Sequence, residues 1–146
     1  MNKSKVIIYT DGACKNNPGP GGWAAIIMCQ SKEKIITGSE KHTTNNRMEL
    51  LSVINALNIL KFTCDVDLYT DSQYVKNGIT KWLPSWRIKN WRTSGGSAVK
   101  NQDLWEMLDL GAKKHNISWH WVKAHNGNLI NERVDYLARQ AIICDK

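Results

Sequence analysis

A chain of 146 residues with 42% hydrophobic content is long enough to bury one core, and no apolar run approaches the length of a membrane span. Cys14, Cys29, Cys64 and Cys144 show no Cys-x-x-Cys spacing, which argues against a zinc site and a disulfide framework. With no signal-peptide segment in the first residues, a cytoplasmic protein with reduced thiols is the simplest fit, and its net charge of +7 favours polyanionic partners.

The first element is Val6-Ile7-Ile8-Tyr9, a β-branched and aromatic run that reads as a strand buried on both faces. Thr10-Asp11-Gly12 is expected to stop it and leave a carboxylate at its C-terminal end. Cys14 to Gly22 makes a wide turn rich in Pro and Gly, with the wrong spacing for a dinucleotide fingerprint. Trp23 to Met28 and Lys34 to Gly38 then read as strands of an antiparallel meander. Thr43-Thr44-Asn45-Asn46 is a cluster of capping residues ahead of a helix whose Leu50, Val53, Ile54, Leu57 and Leu60 form one apolar face. Glu49 falls early in that helix, at the margin of the face, where an ordinary solvated Glu is equally reasonable.

Val66-Asp67-Leu68-Tyr69-Thr70-Asp71 is a second hydrophobic strand that ends, like the first, in Tyr-Thr-Asp. The intervening helix makes a crossover, so the two strands should run parallel, with Asp11 and Asp71 side by side at the sheet edge where open α/β sheets bind ligands. A short helix from Ser72, with Gly78 near its end, leads into Lys81 to Arg92, a stretch with Trp82, Trp86 and Trp91, four cations and no acid. Basic residues interleaved with aromatics suit a polyanion that offers bases or sugars to pack against. Alternatively, Trp82 and Trp86 form one apolar side of a helix with Lys and Arg around it, and both readings can hold.

Asn101-Gln102-Asp103 should cap a helix bearing Leu104, Met107, Leu108 and Leu110. Asn116 to Val122 reads as the last strand, with Ile117, Trp119 and Trp121 on its more buried side. After the polar loop Lys123 to Asn128, Asn131-Glu132 should open a final helix in which Val134, Leu137, Ala138, Ala141 and Ile142 make the buried stripe. Asp135 lies early in it, with Arg139 four residues on as a surface partner. No repeat or linker divides residues 1–146, so one domain is expected, with a basic, Trp-rich protrusion at about 81–100.

Asp11, Glu49, Asp71 and Asp135 thus have a common address. Clustered carboxylates repel unless something positive fills the cluster, and an oxygen-only ligand set suits Mg²⁺ or Mn²⁺ over zinc. Two such ions would clamp the attacking and leaving oxygens of a phosphoryl displacement, which fits a basic arm that holds a polyanion.

These residues resemble the ribonuclease H family, of the bacterial type 1 class, from about Ile7 to Ala141. The resemblance rests on Tyr9 to Cys14, Asn17 to Gly22, Thr43 to Leu50, Thr70 to Val75, Trp121 to His125 and Asn131 to Asp135. It implies a five-stranded mixed sheet, three antiparallel strands then two parallel, flanked by helices. It also implies a monomeric endonuclease that hydrolyses the RNA strand of RNA–DNA hybrids with two Mg²⁺ ions, or Mn²⁺, leaving 3′-hydroxyl and 5′-phosphate ends. By motif position, Asp11, Glu49, Asp71 and Asp135 would bind metal, and His125 would assist proton transfer or product departure. Cys14, Asn17, Asn45, Asn46 and Gln73 match positions that meet the minor groove and the RNA 2′-hydroxyls, while Thr44 and Asn101 match positions that hold a DNA phosphate. Trp82, Trp86, Lys89 and Arg92 match the protrusion that grips the DNA strand. Two departures stand out: Ala124 replaces the Gly expected before His125, and residues 126–130 lack the usual Pro or acid. A binding module without catalysis should tolerate loss of an acid, and all four are present; the amides of Asn45, Asn46 and Gln73 argue against a strand-transfer enzyme acting on DNA.

Overall fold

The computed structural model describes residues 4–93, 95–123 and 128–142. The sheet has five strands, β1 (Ser4–Cys14), β2 (Gly19–Cys29), β3 (Lys32–Thr43), β4 (Cys64–Thr70) and β5 (Asn116–Trp121), in the order β3-β2-β1-β4-β5. β1 pairs antiparallel with β2 and β2 with β3, whereas β1–β4 and β4–β5 are parallel. Parallel neighbours cannot be joined by a hairpin. The helix α1 (Asn45–Asn58) leads into β4, and α2 (Gln73–Asn77), α3 (Leu83–Ile88) and α4 (Gln102–Lys113) intervene before β5. The last helix is α5 (Leu129–Ala141). Among the described residues no helix is long and apolar enough to cross a membrane.

The period-two alternation of β1 divides the interior into two layers. Val6 and Ile8 point to the layer shared with α1 and α4, where Leu50, Val53, Ile54 and Leu57 are buried. Each of those four contributes on the order of 2 kcal/mol by leaving water. Tyr9 points to the opposite layer, where Ala24, Ile26, Val134 and Ala138 pack α5 against β1 and β2.

Asp11-Gly12 does not stop β1, contrary to expectation. The strand runs on to Cys14 because β2 keeps pairing with it: Asp11 lies opposite Ala24 and Gly12 opposite Trp23. What ends at this level is the parallel ladder with β4, whose last register pair is Tyr9 with Tyr69. Asp11 and Asp71 are therefore neighbours at the end of that ladder, as the repeated Tyr-Thr-Asp suggested.

Other differences have equally local causes. The short helix α2 ends at Asn77 with Gly78 as its cap, as expected, but Gly78 keeps right-handed helical angles and opens a wider, π-type turn, Gly78–Trp82, that runs straight into α3. A Cβ at Gly78 would lie 1.8 Å from the Trp105 ring, so the glycine at this cap serves close packing. That ring is wholly buried, whereas Met107 and Leu110 of α4 are exposed. The buried face of α4 is Leu104, Trp105 and Leu108, rotated from the expected stripe. Asn101 occupies the cap position of α4 in a left-handed conformation without a capping bond from its side chain. α5 begins at Leu129 and not at Asn131, because Asn128 Oδ1 accepts the Asn131 N–H and supplies the cap one half-turn earlier.

Candidate active site

Gly12 decides how the site is assembled. A Cβ there would meet the backbone of Met48 and Glu49 at 2.5 Å, so only glycine lets α1 approach β1 this closely. The approach carries Glu49 into the interior, only 3% exposed, which overturns the solvated reading of that residue. The Gly12 N–H donates to Asp11 Oδ1 at 2.9 Å and also to Glu49 Oε1, so one amide steadies both carboxylates. Asp71 follows the last residue of β4. Carboxylate oxygens of Asp11, Glu49 and Asp71 all lie within 4.8 Å of one another. Asp135 lines the same cleft from α5 and hydrogen-bonds Asp11, while Arg139 pairs with it at 3.0 Å as the i,i+4 spacing foresaw.

Burial, then the charge of Glu49 and its hydrogen bond, then the charge of Asp71 push the Asp11 carboxyl far above the usual range. Glu49 is raised as well: burial and the charge of Asp71 outweigh the hydrogen bonds from Asp11, Ser72 and the Gly12 amide. Among the ion pairs between described residues, none involves Asp11 or Glu49. Asp11 and Glu49 are thus held together in a low-dielectric place, and among the described residues no basic side chain pairs with either. An oxygen-only donor set in that condition fits a hard divalent cation.

The cleft has a volume of about 420 Å³ and is also lined by Asn45, Asn46, Ser72, Gln73 and Tyr74. A second cleft of about 480 Å³ is lined by Tyr74, Lys81, Trp82, Ser85, Trp86, Lys89, Arg92, Thr93 and Lys100. Tyr74 belongs to both, so an acidic cleft and a basic one share a wall.

Residues 3–143 match the family model described as RNase H. The chain belongs to the ribonuclease H family. It is 58% identical over 143 residues to the ribonuclease H of Wolbachia pipientis wMel, covering 98% of this chain and 99% of that one. Among solved structures it resembles LC9-RNase H1, a type 1 RNase H with the type 2 active-site motif. That likeness has a TM-score of 0.87 and 31% identity, over 97% of this chain and 74% of that one. LC11-RNase H1, solved in complex with RNA/DNA hybrid, shares the fold at a TM-score of 0.72 and 20% identity, over 94% of this chain and 96% of that one.

The remaining residues expected of a ribonuclease H fall into three groups. Asn45 and Asn46 open α1 and Gln73 opens α2, all on the acidic cleft. Asn17 lies beside them, its Oδ1 accepting the Asn45 N–H at 3.0 Å, which leaves its NH₂ to donate outward. The Cys14 thiol is turned toward backbone, 3.4 Å from Thr43 O and 3.5 Å from Gly19 O. Trp82, Trp86, Lys89 and Arg92 line the basic cleft. The apolar reading of the tryptophans is seen there: the Trp82 and Trp86 rings lie 5.8 Å apart, and Trp86 meets the buried Trp105 at 5.5 Å while both also line the cleft.

Thr44 and Asn101 form the third group, and both are engaged within the protein. Thr44 caps α1 by accepting the Arg47 N–H, and Asn101 bonds Arg47 and Tyr74. Sequence reasoning counted Lys81 in the basic stretch but did not single out Tyr74, Ser85 or Lys100 as cleft residues; the Tyr beside Gln73 and the cations flanking the tryptophans were the available signal. His125, and the Ala124 before it, lie outside the described residues.

Proposed function

We propose that this family member cuts the RNA strand of RNA–DNA hybrids at the acidic cleft by a two-metal-ion reaction, leaving 3′-hydroxyl and 5′-phosphate ends. The observation that carries this reading is the cluster of the buried Asp11 and Glu49 with the half-buried Asp71, beside a basic, tryptophan-lined wall. Asp11, Glu49, Asp71 and Asp135 would hold two Mg²⁺ ions, with Mn²⁺ as a substitute of the same donor preference. Bound there, the ions supply Lewis acidity at the scissile phosphate and lower the pKa of the attacking water.

The chain's own residues do the rest. Asn45, Asn46 and Gln73 carry amides that both donate and accept, which suits a 2′-hydroxyl that DNA lacks. Asn17 offers donors at the same edge, and Cys14 keeps the β1–β2 turn that carries Asn17 against the end of β3. The DNA strand lies along the other cleft, its sugars against Trp82 and Trp86 and its phosphates near Lys89 and Arg92, with Thr44 and Asn101 holding one phosphate between the clefts. His125 assists by moving a proton or drawing off product. One domain, residues 1–146 with its protrusion at about 81–100, acts as a cytoplasmic monomer without a membrane partner.

The test offers one sequence as hybrid, double-stranded RNA and double-stranded DNA, with Mg²⁺, Mn²⁺ or EDTA. The expected result is metal-dependent cleavage of the RNA strand in the hybrid alone, with the stated ends. Equal cleavage of double-stranded RNA, or cleavage in EDTA, would overturn it.

A further inference from the structure

Arg47 touches both residues proposed to hold the DNA phosphate, yet its own charge is spent elsewhere. Its backbone N–H donates to Thr44 Oγ1 at 3.3 Å, and its guanidinium donates to Asn101 Oδ1 at 3.2 Å. Two more guanidinium bonds reach the Asp103 carboxylate at 3.0 and 2.9 Å, a two-point pairing that fixes the plane of the group and neutralises it. On the other side of Asn101, Nδ2 donates to Tyr74 Oη at 3.1 Å, and the same oxygen accepts from Trp105 Nε1 at 2.9 Å.

The consequence lies in what these bonds leave over. A free asparagine amide can turn either its oxygen or its nitrogen toward a ligand. Here the oxygen is turned to Arg47 and one N–H to Tyr74, so the amide is held in one orientation with its second N–H left to donate. Tyr74 has accepted twice and keeps its proton to give; Thr44 has accepted from Arg47 and keeps its own. Each of the three groups thus keeps a donor to give, and Tyr74 has used both of its lone pairs, which suits the acceptor-only oxygens of a phosphodiester.

We infer that the Arg47 side chain, clamped by Asp103, is a positioning residue that turns the donor end of Asn101 toward the hybrid without contacting phosphate itself. This rests on the proposed role of Asn101. Steady-state kinetics and salt-dependent hybrid binding of Arg47→Met, Asn101→Ala, the double variant and Asp103→Ala test it. Arg47→Met leaves the backbone bond to Thr44 in place, and Asp103 is 62% exposed, so its replacement releases the guanidinium without disturbing the core.

Arg47→Met and Asn101→Ala should each raise KM about fivefold, the loss of one neutral hydrogen bond, with kcat within about twofold. The double variant should be no worse than Asn101→Ala alone. Asp103→Ala should raise KM by a smaller factor, and the salt slope of Arg47→Met should equal that of wild type. A direct Arg47–phosphate contact would lower that slope by about one unit and add to Asn101→Ala; either result overturns the positioning role. An Asp103→Ala variant that binds as wild type overturns the clamp. If Asn101→Ala alone binds as wild type, the phosphate contact proposed for Asn101 fails first, and the positioning role falls with it.

Discussion

The acidic cleft draws its carboxylates from β1, α1, the residue after β4 and α5, positions as far apart as 11 and 135, whereas the lining of the basic cleft beside it comes from residues 74–100. The first exists only when the whole fold is assembled, and it gathers like charges in a buried place against their repulsion. The second is a local helical segment whose aromatic rings pack on Trp105 while its cations stay in water. Substitutions in the two should therefore fail in different ways: chemistry is lost in one, and grip on the substrate in the other.

The largest effect is expected at Asp71. Asp71→Asn keeps the shape of the side chain but removes a charge from the cluster, so hybrid cleavage should fall by at least about a thousandfold with binding unchanged or tighter. Residual activity within tenfold of wild type would remove Asp71 from the essential set.

Gly12→Ala attacks the same cleft through its scaffold. The added methyl meets the α1 backbone, which cannot yield as a side-chain tip could. A loss of about 3 kcal/mol in urea denaturation is expected, with cleavage reduced on the order of a hundredfold as Glu49 is displaced. Wild-type stability in this variant would mean that α1 can move away from β1 and that Gly12 does not set the geometry.

On the basic side, replacing Lys89 and Arg92 together by Ala should raise KM more than it lowers kcat. It should also flatten the salt dependence of binding by roughly one unit or less per lost phosphate contact. An unchanged slope would make these cations a solvated face and leave the basic cleft without its assigned task.

The smallest effect on cleavage is expected where that cleft is footed. Arg87 of α3 pairs with the buried Asp109 of α4, which also meets Lys113 at 3.4 Å. Burial alone would raise the Asp109 carboxyl, but the hydrogen bond and charge of Arg87, aided by Lys113, hold it below the usual range. A carboxyl lowered in the folded state stabilises above its unfolded pKa, and that contribution fades as pH falls through the folded value. Asp109→Asn should thus cost about 1–3 kcal/mol at pH 7, little at pH 2, and hardly change kcat. An equal deficit at both pH values would mean that packing, not the ion pair, is what Asp109 contributes.

The same contrast explains what could be read before folding. Asp11 and Asp71 were legible because each ends a run of identical pattern, and the parallel pairing of two such runs follows from the crossover between them. Glu49 was grouped with them by its place early in the helix, but its burial was not legible, since that depends on a glycine 37 residues away that only the assembled sheet brings beneath α1. The length of β1 was misjudged for a related reason: Asp-Gly signals a turn locally, but a continuous antiparallel partner overrides it. Gly78 and Trp105 explain each other, and neither explains itself alone. The tryptophan-rich stretch, being local, was legible in composition, though not in which ring would be core.

An acidic cleft that takes up divalent cations, as proposed, should stand at a cost to the metal-free fold. Thermal melting of wild type and Asp71→Asn, each in EDTA and in excess Mg²⁺, tests it most directly. Without metal the variant should melt above wild type, because one repelling charge is gone; adding Mg²⁺ should raise wild type markedly and the variant little. A variant that melts at or below wild type in EDTA, or gains as much from Mg²⁺, would contradict the account.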